Sequence, residues 1–188
     1  MSRQFWSESQ WLATADGVAV GNTTAETIIF PNVTIPANYL QDGRCLRIRA
    51  FGRYSNVVTA VPTLIFRLRW GGVAGVLMAA TEAIVTGAAA ITSAPWDLEA
   101  YIQTRSNGAT GTAFCMGQVA MSTNAPPTFG TVLNYGVVTH MANPGLDVPV
   151  IFTGDFTADT ALSLTAQWSA ASASNTLTGH MYTGESLN

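Results

Sequence analysis

The chain has 188 residues, a length that a single all-β domain commonly reaches undivided. Its residues are 48% hydrophobic and only 10% charged, all eight basic residues are arginine, and the net charge is −3, so there is no global pull toward nucleic acid or an anionic membrane. Two cysteines, Cys45 and Cys115, are too few for a disulfide framework and lack metal-ligand spacing.

Ordinary soluble proteins carry roughly 25% charged residues, and a free monomer usually keeps a charged, lysine-bearing surface. A chain this poor in charge fits a protein that hides much of its surface against neighbours. A compact domain with a Thr/Ser/Asn-rich surface is the plainer alternative. The charge is also uneven: residues 1–94 hold seven Arg against five acids, and residues 95–188 hold one Arg against six acids.

Residues 1–25 read as an N-terminal arm. They lack strong alternation and carry Phe5, Trp6 and Trp11 among polar residues. Aromatic side chains on an arm suit docking to a partner, or the arm folds back onto its own domain. The start, MSRQFWSESQ, has no apolar run of the kind a signal peptide needs, so synthesis in a reducing cytoplasm is expected, with the two cysteines as buried thiols.

From residue 26 onward, period-2 alternation dominates. Leu46, Ile48 and Ala50 alternate with Cys45, Arg47, Arg49 and Phe51; Leu64, Phe66, Leu68 and Trp70 alternate with Ile65, Arg67 and Arg69. Trp96, Leu98, Ala100 and Ile102 alternate with Asp97, Glu99, Tyr101 and Gln103, and Leu162, Leu164, Ala166 and Trp168 with Ser163, Thr165, Gln167 and Ser169. Each run buries one face, as strands of an antiparallel sandwich do. The expected strands are 26–34, 44–53, 62–70, 75–80, 96–105, 110–122, 131–139, 148–155, 161–169 and 175–184. Turn residues separate them at Asp42-Gly43, Gly71-Gly72, Asn107-Gly108, Ala125-Pro126-Pro127 and Asn143-Pro144-Gly145. Asn107-Gly108 has the composition of a hairpin turn. Residues 73–90 are alanine-rich, but Gly75, Gly87 and the β-branched residues favour a short strand and a loop, and the stretch is too broken to span a bilayer. The expectation is one all-β antiparallel sandwich over 26–188.

Chemistry is scarce. His140 and His180 stand far apart and in no metal-binding spacing. There is no GxSxG elbow and no P-loop. Asp97 with Glu99, and Asp155 with Asp159, are the closest carboxylate pairs; such pairs hydrolyse glycosides when a cleft surrounds them, but on a sheet face they are more often solvated or salt-bridged. The clear cluster is arginine, six of eight lying between Arg44 and Arg69. Arg47 and Arg49 share one strand face and Arg67 and Arg69 another. If those strands lie side by side, the four form one basic patch, for acids of the same chain, of a neighbouring subunit, or, least favoured by the overall charge, for nucleic acid.

The run GRCLRIRAFGRYSNVVTAVPTLIFRLRWGG, the stretch APWDLEA and the tail ADTALSLTAQWSAASASNTLTGHMYTGESLN resemble small jelly-roll structural proteins of tailed phages. The resemblance covers about 26–188 and is one of composition and position, with no functional residue to carry over. It implies a jelly-roll sandwich in a phage virion. It further implies a capsid decoration (cement) protein on the outer capsid surface, a homotrimer whose partner is the major capsid protein, with Phe5, Trp6, Trp11, Arg47, Arg49, Arg67 and Arg69 at interfaces. The alternative is a tail, baseplate or fibre domain that binds host glycans through exposed aromatics and asparagine-rich loops (Asn107, Asn124, Asn134, Asn143). Neither reading calls for catalysis, a cofactor, a metal, nucleic acid, a membrane or a small-molecule substrate. A carbohydrate hydrolase using Asp97, Glu99, Asp155 or Asp159 is the third possibility.

Overall fold

The computed structural model describes residues 7–56, 61–87, 90–122, 137–142 and 150–187. All regular structure among them is strand: β1 Ser7–Leu12, β2 Val20–Gly21, β3 Thr27–Ile28, β4 Val33–Ile35, β5 Cys45–Asn56, β6 Thr63–Trp70 and β7 Val76–Thr81. There follow β8 Ile84–Val85, β9 Ile91–Ser106, β10 Gly111–Met121, β11 Val137–Ala142, β12 Val150–Gly154, β13 Thr160–Trp168 and β14 Thr176–Leu187.

Every pairing is antiparallel, and the strands join in the order β1-β14-β5-β9-β10-β11-β7-β6-β13-β3. The sheet folds over on itself. Phe66 of β6 meets Trp96 of β9 across the core, ring centroids 5.1 Å apart, so the β14-β5-β9-β10 half faces the β7-β6-β13 half. The chain is thus the all-β antiparallel sandwich that its alternation implies. Long strands pair first with last, moving inward along the chain: β5 with β14, β6 with β13, β7 with β11, β9 with β10.

The period-2 pattern maps directly onto burial. On β5, Leu46, Ile48 and Ala50 are fully buried while Arg47, Arg49 and Phe51 face outward, half-buried. Burying each large aliphatic or aromatic side chain contributes about 1.5–3 kcal/mol, and the core holds Trp96, Trp168, Phe30, Phe66, Phe156 and Tyr54 beside the aliphatics. Two core indoles find partners: Trp168 donates to the Val20 carbonyl at 3.1 Å and Trp70 to the Asp155 carbonyl at 3.2 Å. The Asn107-Gly108 hairpin joins β9 to β10, with Gly108 at φ +125°, where a side chain is strained. Asp42-Gly43 and Gly71-Gly72 also turn with positive φ at glycine; the turns expected at 125–127 and 143–145 lie outside the described residues.

The two outer faces differ. Over β6 and β13 the segment before β4 lies across the sheet. Thr24 accepts from Gln167, Glu26 accepts from Thr165, and Asn32 accepts from Ser163. Ser163 and Thr165 are therefore buried although they point away from the core. The other outer face, over β14, β5, β9 and β10, carries no such cover among the described residues.

Part of the expected arm joins the sheet. Residues 7–12 pair with β14, and Val20 and Gly21 pair with its other end. The single strand expected at 26–34 is two short ones, β3 and β4, separated by buried Ile29 and Phe30 and by Pro31, which has no N–H to give a ladder.

Candidate functional site

The uncovered face is built from cross-strand rows. Glu185, Arg47, Tyr101 and Met116 stand opposite one another in turn on β14, β5, β9 and β10. One row along, Thr183, Arg49, Glu99, Gln118 and His140 run from β14 to β11. A third row holds Cys45, Gln103, Phe114 and Ile151. Opposed side chains on one face are close enough to interact, and here they do. Arg47 pairs with Glu185, and Arg49 Nε lies 3.3 Å from Glu99. The Tyr101 hydroxyl donates to Glu99, which, with burial adding to it, raises the phenol above its ordinary range. Burial raises the Asp97 carboxyl, Arg49 opposes that, and Glu99 adds to it. The Arg105 guanidinium sits over the Phe114 ring, 5.8 Å from its centroid.

A groove of about 450 Å³ opens on this face, lined by Glu99, Tyr101, Phe114, Met116, Gly117, Gln118 and His140. Its origin lies in β10. Residues Gly111–Cys115 pair outward with β12, and Gly117–Met121 pair with β11. Met116 stands where the neighbour changes, so the groove forms at the break. A Cβ on Gly117 would lie 2.6 Å from the Glu99 carbonyl oxygen, so a larger residue would force β9 and β10 apart there. Tyr101 is 40% exposed and Met116 37% exposed, large for outward positions flanked by charge. A ring face and a thioether, with a carboxylate, an amide and an imidazole around them, can hold a ligand that has one apolar face and several hydroxyls.

A second cavity, of about 290 Å³, lies at the seam where the first and last strands of the curled sheet approach. It is lined by residues 11–16 on one side, 30–33 on the other, and Tyr182 below.

The residues singled out from sequence are dispersed. The single basic patch does not form: β9, β10, β11 and β7 stand between β5 and β6 in the sheet. Alternation fixed which way each arginine points but not which strands are neighbours. Arg47, Arg49, Arg67 and Arg69 each have an acid of their own chain. Glu26 receives Arg69 through two hydrogen bonds, 2.6 and 2.8 Å, and Arg67 at 3.3 Å. Trp11 packs on the core beside Tyr182, and Phe5 and Trp6 lie outside the described residues. Asp155 caps its own turn by accepting from Thr157, and Asp159 accepts from the Ala37 N–H at 2.8 Å. His180 Nδ1 lies 2.9 Å from Asp16. Of the asparagines, Asn107 sits in the β9–β10 turn, while Asn124, Asn134 and Asn143 lie outside the described residues. No group of three or more His, Cys, Asp or Glu side chains suited to a metal ion occurs among the described residues. Tyr101, Met116, Phe114 and Gln118 carry no motif or spacing that marks a site in the sequence. The available signal was a large apolar residue at an outward position of an alternating strand.

No protein-family model matches the chain, and no curated protein does either. A solved structure titled as the CBM2 module of Lactobacillus casei BL23 phage J-1 evolved Dit aligns over 99% of this chain and 98% of its own, with 10% identity and a TM-score of 0.33. A superposition that loose carries no argument about shared fold or shared ligand.

Proposed function

We propose that the protein is a non-enzymatic binding module of a phage virion, placed on the tail side, that holds a host glycan in the groove over β9, β10 and β11. The observation that carries the reading is the groove itself: Tyr101 and Met116 exposed beside Glu99, Gln118 and His140 on a sheet face that the described residues leave bare. A sugar ring lays its C–H face on an aromatic ring and offers its hydroxyls to carboxylate, amide and imidazole. The resemblance of the 43–72, 94–100 and 158–188 stretches to tailed-phage structural proteins supports the virion setting.

The test is a glycan array with purified protein, followed by titration calorimetry of the best hit on Tyr101→Ala and Gln118→Ala. The expected result is a defined glycan whose affinity falls about 10- to 100-fold in Tyr101→Ala, that is about 1.4–2.8 kcal/mol. Absence of any hit, or hits indifferent to both substitutions, overturns it.

The charge-poor composition favours a second reading, a cement protein on the outer capsid surface. Surface buried across subunit joints stabilises the assembled state alone, and homotrimerisation would cover the same bare face. In that reading Arg47, Arg49, Arg67 and Arg69 reach a capsid protein only by sharing carboxylates they already hold. Saturable co-sedimentation with undecorated capsids, with no glycan hit, would select it.

A further inference from the structure

Six arginines lie between Arg44 and Arg69. Arg47, Arg49, Arg67 and Arg69 hold acids, and Arg44 lies over the Tyr39 ring, 4.3 Å from its centroid. Arg53 is exposed and has neither an acid nor a ring as partner among the described residues. Outside them the sequence holds one acidic side chain, Asp147.

Hydroxyl groups gather round Arg53. In the β5–β14 register Arg53 stands opposite Thr178, and Ser55 opposite Thr176. On the other side of β5, the ladder to β9 shifts between Tyr54 and Asn56, an irregularity of the kind that re-aims side chains. There Ser93 takes φ +55°, uncommon for a residue with a side chain, and its N–H donates to Ser55 Oγ at 3.0 Å. That oxygen accepts from Ser93, so its own hydrogen is left to donate. The result is a pocket of about 220 Å³, with Arg53, Ser55, Ser93, Thr176, Thr178 and His180 among its lining residues. Arg53 and Ser93 are exposed and Ser55, Thr176 and Thr178 half-buried, so solvent reaches all five.

The lining decides the charge of what fits. No carboxylate lines the pocket, so a cation finds no acidic partner. Tyr54, the one aromatic lining residue, is 1% exposed and gives its hydroxyl to the Ser122 carbonyl, so it offers a sugar no ring to stack on. His180 Nδ1 is taken by Asp16 at 2.9 Å, and Asp16 does not line the pocket. What remains is one guanidinium and four hydroxyls. The guanidinium fork fits two oxygens of an oxyanion. A carboxylate offers only two oxygens in one plane, whereas a tetrahedral oxyanion offers more, in the several directions from which β5, β9 and β14 present donors. At about 220 Å³ the space lies below the roughly 300–1,000 Å³ of small-molecule sites and suits a charged group with little attached.

We propose that this pocket at the β5–β14 end of the outer face binds a tetrahedral oxyanion, a phosphate or sulfate group, free or esterified to a small polyol. Arg53 grips two of its oxygens, and the Ser55, Ser93, Thr176 and Thr178 hydroxyls donate to the others. The pocket shares no lining residue with the groove over β9 and β10 and does not depend on the function proposed for that groove.

The experiment is an NMR titration of the isotope-labelled full chain at fixed ionic strength, with inorganic phosphate, sulfate, glycerol phosphate and acetate as probes. It is run on wild type, Arg53→Gln, Thr178→Val, Tyr101→Ala and Arg44→Gln, the last removing the same charge elsewhere. The expected result is saturable binding of phosphate, sulfate or glycerol phosphate, with shifts centred on Arg53, Ser55 and Ser93. Affinity should fall about tenfold or more in Arg53→Gln and about threefold in Thr178→Val, and stay unchanged in Tyr101→Ala and Arg44→Gln. Arg53→Gln should melt as wild type does, because the guanidinium has no partner in the chain to lose. Tighter binding of glycerol phosphate than of inorganic phosphate would identify an esterified ligand, and the reverse order the free ion; either supports the proposal. It is overturned if none of the three tetrahedral probes saturates, if acetate binds as tightly as they do, or if binding ignores Arg53→Gln. Equal loss in Arg44→Gln also overturns it, because the effect would then be one of net charge.

Discussion

Arg49 and Glu99 face each other across β5 and β9, Nε 3.3 Å from Oε2, while Tyr101 donates its hydroxyl to the other oxygen of the same carboxylate. With Arg47 between Glu185 and Tyr101, the groove rim is a chain of charged and hydrogen-bonded groups that orients the Tyr101 ring. Arg49 is 43% exposed and Glu99 28%, so the pair itself contributes little to stability.

Glu99→Gln therefore separates orientation from stability. Its unfolding free energy should change by less than about 1 kcal/mol, a melting shift of no more than about 2–4 °C for a chain of this size. The Tyr101 phenol, held up first by its bond to Glu99, should ionise closer to its ordinary range. Ultraviolet titration of Glu99→Gln, with Tyr101→Phe identifying the transition, checks this. An unmoved transition would mean that burial, not Glu99, holds the phenol.

Glu26 gives the opposite case. Burial pushes its carboxyl up, but hydrogen bonds from Arg69 and Thr165 and the charges of Arg67 and Arg69 outweigh that and leave it below the ordinary carboxylate range. Its side chain is 14% exposed, and it fastens the covering segment to β6 and β13. Glu26→Gln leaves two guanidinium groups half-satisfied and should cost about 2–4 kcal/mol at neutral pH. A depressed folded pKa contributes stability above the unfolded value, about 4.3, and that contribution is lost as pH falls through the lower folded value. The gap between variant and wild type should narrow below about pH 4, as denaturant melts at pH 7, 5 and 3 would record.

The two thiols should react differently. Cys115 is fully buried and its thiol is pushed up to about 12 by desolvation; Cys45 is half-buried and raised by the same cause. The thiolate is the reactive species. β9 separates the strands that carry them, and both are free. At pH 8, a thiol reagent should consume about one slow equivalent from the native protein and a second only on unfolding. Cys45→Ser should abolish the native reaction and leave the second intact.

How much of this was legible beforehand depends on the range of the interaction. Alternation within a strand is local, so β5, β6, β9, β10, β13 and β14 follow from the apolar positions, and the Asn107-Gly108 hairpin from two residues. The edge strand β1 does not, because Ser7–Leu12 holds only Trp11 and Leu12 as large apolar residues and Leu12 is 63% exposed. Its strand character comes from β14, not from its own pattern. Neighbours across the sheet were equally hidden. Arg47 and Arg67 look alike in sequence, yet register places them on separate parts of the sheet with different acids. The groove needs Tyr101, Met116, Gln118 and His140 from three strands, and nothing local states that β10 changes partners at Met116.

Beside its backbone ladder to β14, β1 is held by a side-chain contact that a single added atom can break. Trp11 stands opposite Gly184 in the β1–β14 register, and its indole covers the space a side chain would take: a Cβ on Gly184 would lie 2.1 Å from Trp11 Cζ2. An aromatic ring over a glycine on the neighbouring strand is a known way to hold an edge strand. Gly184→Ala must expel the indole, at a cost of about 1–3 kcal/mol. Amide exchange should accelerate in residues 7–13 and leave β5, β9 and β10 protected. Trp11→Ala should loosen the same segment by losing the contact rather than by a clash. If the clash is the whole effect, adding Gly184→Ala to Trp11→Ala costs almost nothing further, because the atoms that collide are gone. A double-mutant cycle closing with a coupling of about 1 kcal/mol or more would establish this, and strict additivity would place the Gly184 effect in the β14 backbone instead.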